Sequence, residues 1–83
     1  MSIQDTSLEA LALAPNRLEA VRCFLILRGT RGATDWETHA ALGAPYSSIQ
    51  RPRGELVKSG SVRDSGRRRL TGYGRNAIVW VTA

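Results

Sequence analysis

Several residue types that support particular functions are scarce in this 83-residue chain. Cys23 is the only cysteine, which excludes an intramolecular disulfide and favours a reducing compartment. His39 is the only histidine, so with one distant cysteine it cannot complete a zinc-binding set. The sequence contains no phosphate-binding loop, no nucleophile motif and no close pair of carboxylates. We therefore expect no enzymatic activity, no cofactor and no metal.

Long apolar runs and abundant aromatic side chains are also missing. The longest apolar runs, such as residues 23–27, contain five residues and are far too short to span a bilayer, and no segment resembles a signal peptide. These features predict a cytoplasmic protein with no membrane partner. Aromatic residues make up only 6 % of the chain, which argues against a base-stacking platform for RNA or single-stranded DNA.

Positive charge is plentiful and is concentrated in the second part of the chain. Residues 1–50 contain four basic side chains and five acids, whereas residues 51–83 contain eight basic side chains and two acids. This asymmetry favours a polyanionic partner that contacts mainly the second part. Apolar residues make up 42 % of the sequence, which is enough for the core of one compact domain.

Gly29, Gly43 and Gly60 are predicted to end three helices. Glycine commonly follows the last residue of a helix because it readily adopts the left-handed conformation. The first predicted helix covers residues 17–28, with Asn16 as its cap. Its apolar face has five candidate members: Leu18, Val21, Phe24, Leu25 and, at the margin, Leu27.

The second predicted helix starts after Thr34, which has the spacing of a capping box with Glu37, and it runs to Gly43. Its candidates for the inward face are Trp36, Ala40 and Ala41.

The third helix is predicted within residues 46–59, with Ile49, Leu56 and Val57 on its buried side. Ser47 and Gln50 have the spacing of a second capping box. Pro52 leaves two alternatives open: the helix begins late with the proline in its first turn, or it begins earlier and kinks there.

From residue 61 the pattern changes from helix to strand. Residues 77–82 are β-branched and aromatic, which predicts a strand, and a β-hairpin with its tip near Tyr73 is the simplest interpretation. Gly66 marks a bulge in the first strand. Residues 1–15 are predicted to be an appendage, either a short helix or flexible, and residues 16–83 to be the domain. Trp36 and Trp80 are expected to be packing residues.

The order of helix, helix, short turn, helix and hairpin predicts an α+β fold, and the LGAPYSS segment has helix-turn-helix spacing. The chain resembles a winged helix-turn-helix domain over about residues 17–82. Such domains occur in small DNA-binding proteins of phages and prophages and in bacterial regulators. The resemblance is carried by the end of the second helix, the start and end of the third, the arginine-rich wing and the terminal strand: Leu42-Gly43, Ser47-Ser48-Ile49-Gln50, Glu55-Leu56, Gly60, Val62 and Trp80. Thr38 and His39 depart from the pattern, which more usually has an aliphatic residue and an alanine there.

The resemblance implies that the protein binds double-stranded DNA and acts as a transcriptional regulator or a phage accessory factor. The third helix of the three-helix core would enter the major groove, and the hairpin wing would contact the backbone or minor groove. The helix supplies these candidates: Tyr46, Ser47, Ser48, Gln50, Arg51, Arg53 and Lys58. The wing supplies these: Arg67, Arg68, Arg69, Tyr73 and Arg75. Since side chains alternate along a strand, Arg67 and Arg69 are expected on one face and Arg68 on the other.

A second function stays open, because winged helices also serve as adaptors. In that case the arginines would face an acidic surface of a host protein. For DNA binding, one small domain offers a small interface, and the N-terminal segment with Leu8, Leu11 and Leu13 is the candidate for a homodimer. The resemblance also implies location at the nucleoid, in the host cytoplasm if the protein is phage-encoded.

Overall fold

Three helices followed by a β-hairpin make up the fold, which was obtained as a computed structural model describing residues 16–72 and 74–83. In chain order the elements are α1 (Arg17–Arg28), a 3-10 turn (Gly29–Arg31), α2 (Asp35–Leu42), α3 (Ser47–Lys58), β1 (Val62–Leu70) and β2 (Asn76–Thr82). The predicted α+β class is confirmed, and the order is compatible with a winged helix. The predicted N-terminal helix, appendage and dimer segment lie outside the described residues, as does the candidate contact residue Tyr73.

The first two helices begin and end where local signals in the sequence predict. The Asn16 side chain accepts a hydrogen bond from the Glu19 amide at 3.0 Å. Thr34 and Glu37 form the predicted capping box, with reciprocal side chain–backbone hydrogen bonds of 3.1 and 3.0 Å. Gly43 ends α2 in the left-handed conformation. The side-chain caps satisfy amide groups at the starts of the helices, and the Gly43 amide donates to the His39 carbonyl at the end of α2.

Helix α3 begins at Ser47, so Pro52 lies inside the helix and not in its first turn. Pro52 is buried. The predicted capping box between Ser47 and Gln50 is wrong, because Tyr46 already has helical backbone angles and no side chain caps the helix. Instead, a turn opens α3, in which the Ser48 amide and hydroxyl both donate to the Pro45 carbonyl at 2.9 and 2.8 Å.

The core lies between α1, α3 and the start of β1. Its buried members include Val21, Leu25, Ile49, Leu56 and Val62, together with Ala33 and Ala44, and Val79 and Val81 of β2 are buried as well. Each large aliphatic side chain buried here contributes about 1.5–3 kcal/mol of transfer free energy. Leu18, Phe24, Val57 and Trp80 pack against the same cluster. Leu27 is 40 % exposed, so its predicted place on the apolar face of α1 is wrong.

The inward face of α2 differs from the prediction. Ala40 and Ala41 are exposed, and Thr38 is buried instead. The Thr38 hydroxyl donates to the Thr34 carbonyl at 3.0 Å, which satisfies its polar group inside the protein. Trp36, the third candidate, is half-buried.

The hairpin is antiparallel, with Val62 opposite Thr82 at its base and Leu70 opposite Asn76 near its tip. The register shifts between Asp64 and Arg68, which confirms the bulge expected near Gly66.

A single antiparallel β-bridge, which the sequence did not predict, links the α1–α2 connection to β2. Ala33 and Trp80 exchange two backbone hydrogen bonds of 3.0 and 2.9 Å. The neighbouring Gly32 has a φ of +65°, and a β-carbon there would lie 2.5 Å from the Trp80 carbonyl oxygen. Only glycine permits this approach, so Gly32 allows the α1–α2 connection to join the sheet.

Candidate nucleic-acid interface

Helix α3 presents one polar face to solvent. Ile49, Pro52 and Leu56 are its buried residues, and at 100° per residue the opposite side carries a different set. We call this set the α3 stripe: Ser47, Gln50, Arg51, Gly54 and Lys58. Its four side chains are exposed, and Gly54 is partly exposed.

The α3 stripe is positively charged and weakly neutralised. The Arg51 side chain is 90 % exposed, and its Nε is 3.9 Å from Glu55 Oε1. Such an exposed and long ion pair contributes little and is easily exchanged for another anion. Within the described residues, no carboxylate lies within 4.0 Å of Lys58. The stripe can therefore offer two cations to a partner.

Arg53 is turned away from the stripe and joins three elements of the fold. Its guanidinium donates to both carboxylate oxygens of Asp35 at 2.9 to 3.2 Å. The same group lies 4.2 Å from the centre of the Trp80 ring. Only 20 % of the Arg53 side chain is exposed. Arg53 was predicted to contact DNA, but in the structure it lies between α2, α3 and β2.

Arg68 lies on the side of the hairpin that faces α3. Residues opposite each other in an antiparallel pair share a face, and Arg68 is opposite Ile78. Ile78 and Trp80 line a cleft together with Tyr46 and Arg53 at the start and middle of α3. Arg68 therefore projects from the same side of the hairpin as this cleft.

Arg67 and Arg69 project from the other side, as the predicted alternation requires. Arg69 Nη1 lies 2.6 Å from Glu37 Oε1, and its Nη2 donates to the Arg31 carbonyl at 2.8 Å. The Arg67 guanidinium donates to the Thr30 carbonyl. Both side chains thus attach β1 to the 3-10 turn and the start of α2.

Glu37 forms ion pairs with two arginines, Arg28 and Arg69. Burial of the Glu37 carboxylate opposes its ionisation and would raise its pKa. Hydrogen bonds from Arg69 and the Thr34 amide, together with the positive charges of Arg69 and Arg28, outweigh this effect and hold the pKa of Glu37 below its ordinary value. Glu37 therefore remains a carboxylate at neutral pH and serves the fold as both a cap and an ion-pair partner.

Asp64 holds Arg68 in a more exposed pair. The pKa of Asp64 lies below its ordinary value because its carboxylate accepts a hydrogen bond from the Gly66 amide. Desolvation opposes this shift, and the charge and hydrogen bond of Arg68 add to it. Arg68 Nη1 lies 3.2 Å from Asp64 Oδ1, and both side chains are more than 40 % exposed. A pair this exposed is screened by solvent, so Arg68 remains available to an incoming anion.

An open cleft of about 570 Å³ separates the start of α3 from the end of the hairpin. Its lining residues are Trp36, Tyr46, Thr71, Arg75, Asn76 and Ala77. The ring centres of Trp36 and Tyr46 are 5.9 Å apart. A β-carbon on Gly72 would lie 2.8 Å from Trp36 Nε1, so the hairpin backbone packs directly on this ring. Arg75 therefore lines the same open cleft as Tyr46, the residue that precedes α3.

The predicted contact residues therefore separate into two groups. One group shares the side formed by α3 and the hairpin: Tyr46, Ser47, Gln50, Arg51, Lys58, Arg68 and Arg75. The other group makes contacts within the fold: Ser48, Arg53, Arg67 and Arg69. Asp35 and Glu37, which hold two of these arginines, were missed as partners because they lie far away in sequence and no local pattern links them.

No protein-family model, curated protein or solved structure matches this chain. Across residues 16–72 and 74–83, no helix is long and apolar enough to cross a membrane. The same ranges contain no cluster of three or more histidine, cysteine, aspartate or glutamate side chains that could hold a metal ion.

Proposed function

We propose that this protein is a winged helix-turn-helix protein that binds double-stranded DNA, with α3 in the major groove and the hairpin as its wing. One observation carries this proposal: the α3 stripe, Arg68 and Arg75 lie on the same side of the molecule. A helix with its side chains is about 10–12 Å across, and the major groove is about 12 Å wide. The helix therefore fits the width of the groove, and the positive charge of the α3 stripe is complementary to the negative charge of the phosphates.

Each group on this side has a chemical role in the proposal. Gln50 can donate and accept at an adenine edge, and Arg51 can donate two hydrogen bonds to guanine. Ser47 and Lys58, at opposite ends of the stripe, suit phosphates on the two walls of the groove. Arg68 and Arg75 on the hairpin suit the neighbouring backbone or minor groove. Such a distribution separates base recognition from positioning, as regulators of transcription require.

The charges predict the salt dependence of binding. Four cations face the proposed duplex: Arg51, Lys58, Arg68 and Arg75. If the three that suit phosphates, Lys58, Arg68 and Arg75, each neutralise one phosphate, the logarithm of the binding constant should fall with the logarithm of salt concentration at a slope of about −2.7. Fluorescence anisotropy with a mixed-sequence duplex of about 20 base pairs, two helical turns, measures this slope.

A charge-matched pair of variants tests whether the side of the molecule matters. Arg51→Gln removes a cation from the α3 stripe, and Arg63→Gln removes one from the opposite side, where Arg63 lines a groove with Thr30. Arg51→Gln should weaken binding about tenfold and Arg63→Gln less than about twofold. Equal losses would mean that net charge alone drives binding, and no binding at low salt would reject the proposal. In the latter case, a stoichiometric protein partner lost with Arg51→Gln would favour the adaptor function.

A further inference from the structure

Gly54 lies in the middle of the α3 stripe, three residues after Arg51 and four residues before Lys58. Glycine inside a helix lowers stability relative to alanine, because it loses more backbone freedom on folding. A glycine at such a position requires an explanation either from the fold or from a partner.

The described part of the fold supplies no such explanation. Gly54 is absent from the glycines with positive φ, so its backbone conformation is open to any residue. A β-carbon added there meets no atom within 4 Å. Gly32 is the contrasting case, since its β-carbon would lie 2.5 Å from the Trp80 carbonyl oxygen. Alanine at position 54 would therefore fit the folded chain and strengthen its helix.

We infer that Gly54 is the point of closest approach between α3 and DNA, where the bare helix backbone lies against the edges of the bases. This inference rests on the proposed function and adds a residue that sets the depth of the helix in the groove. The major groove is about 8.5 Å deep, so a helix must sit low in it for short side chains to reach the base edges. The absence of a side chain at the centre of the stripe allows this, and it brings Gln50 within reach of a base.

The flanking cations support the same geometry. Arg51 and Lys58 have long side chains and lie one turn to either side of Gly54 along the stripe. Their length lets Lys58 reach outward to a phosphate and Arg51 reach a guanine further along the groove, while the helix between them sits deep. An added side chain at position 54 would lift the helix and lengthen every neighbouring contact.

Gly54→Ala and Gly54→Leu test the inference through two independent measurements. Thermal melting should show Gly54→Ala to be more stable than the wild type, by about 4–8 °C. Anisotropy with the mixed-sequence duplex of about 20 base pairs should show weaker binding, about tenfold for alanine and more for leucine. Ala41→Leu adds a larger group at an exposed position of α2, outside the stripe, and should change the affinity less than about twofold.

The outcomes distinguish this inference from the proposed function. If the wild type binds and Gly54→Ala binds equally well, the inference is wrong and DNA binding stands. If Gly54→Ala melts at a lower temperature than the wild type, the fold itself requires the glycine and the inference is again wrong. If the wild type does not bind duplex DNA at low salt, the proposed function fails and this inference fails with it.

Discussion

Replacing Arg53 by alanine removes the contact that joins α3 to both α2 and β2. The guanidinium forms a fork of hydrogen bonds with Asp35 and stacks on Trp80. The side chains of Arg53 and Asp35 are only 20 % and 10 % exposed, so solvent screens this pair far less than an ordinary surface ion pair. The substitution also leaves the Asp35 carboxylate partly buried without its cation.

The expected loss of stability follows from these contacts. Breaking a fully buried ion pair costs about 3–5 kcal/mol, and partial exposure lowers this to about 2 kcal/mol. The lost cation–π contact adds about 1 kcal/mol. A total of about 3 kcal/mol is a large share of the roughly 4–12 kcal/mol expected for a domain of this size. It corresponds to a fall in Tm of about 12–24 °C.

Urea and thermal denaturation of Arg53→Ala, Asp35→Asn and the double variant measure this contribution. The double variant should lose less than the sum of the two single losses, by at least about 1 kcal/mol, because both single changes break the same contact. Arg51→Ala is the matched control, since its side chain is 90 % exposed two residues away, and its stability should change by less than about 0.5 kcal/mol. Wild-type stability in Arg53→Ala, combined with loss of DNA binding, would refute this account of Arg53.

Three further predictions concern the ion pairs and the tight backbone approach. Asp64→Asn keeps the acceptor for the Gly66 amide but releases Arg68, so duplex binding should tighten about threefold in anisotropy titrations, and unchanged affinity would contradict this. The folded pKa of Glu37 lies below its ordinary 4.5, so its stabilisation is present above pH 4.5 and is lost as pH falls through the folded pKa. Urea denaturation from pH 7 to 3 should show a smaller acid loss for Glu37→Gln than for wild type, and equal losses would contradict this. Gly32→Ala should cost at least about 3 kcal/mol in thermal melts, because it combines positive φ with a clash against the Trp80 carbonyl, and a wild-type Tm would disprove the close approach.

The boundaries of α1 and α2 could be predicted because their signals are local. Asn16 caps α1, the Thr34–Glu37 box starts α2 and Gly43 ends it, and each signal operates within about one turn of the chain. The buried face of α2 could not be predicted in the same way. Eight residues give only about two helical turns, too few to fix a period, and a threonine that bonds its own backbone replaces an apolar residue.

The composition of the candidate site was easier to predict than its geometry. Residue types alone grouped Arg51 with Arg53, but two positions along a helix differ by about 200°, and Arg53 instead meets Asp35, 18 residues earlier. In β1 the alternation of Arg67, Arg68 and Arg69 was predictable from strand geometry. Which face is turned toward α3 was not predictable, since it depends on the contacts of β2 with α2 and α3.

Mapping the surface that duplex DNA touches tests the central claim most directly. Backbone amide shifts, recorded by NMR while a duplex is added, report every contacted segment in one experiment. We expect the largest changes along the α3 stripe and at Arg68 and Arg75, with little change at Thr30 and Arg63 on the opposite side. Changes concentrated around Thr30 and Arg63, with the α3 stripe unaffected, would contradict the proposed binding surface.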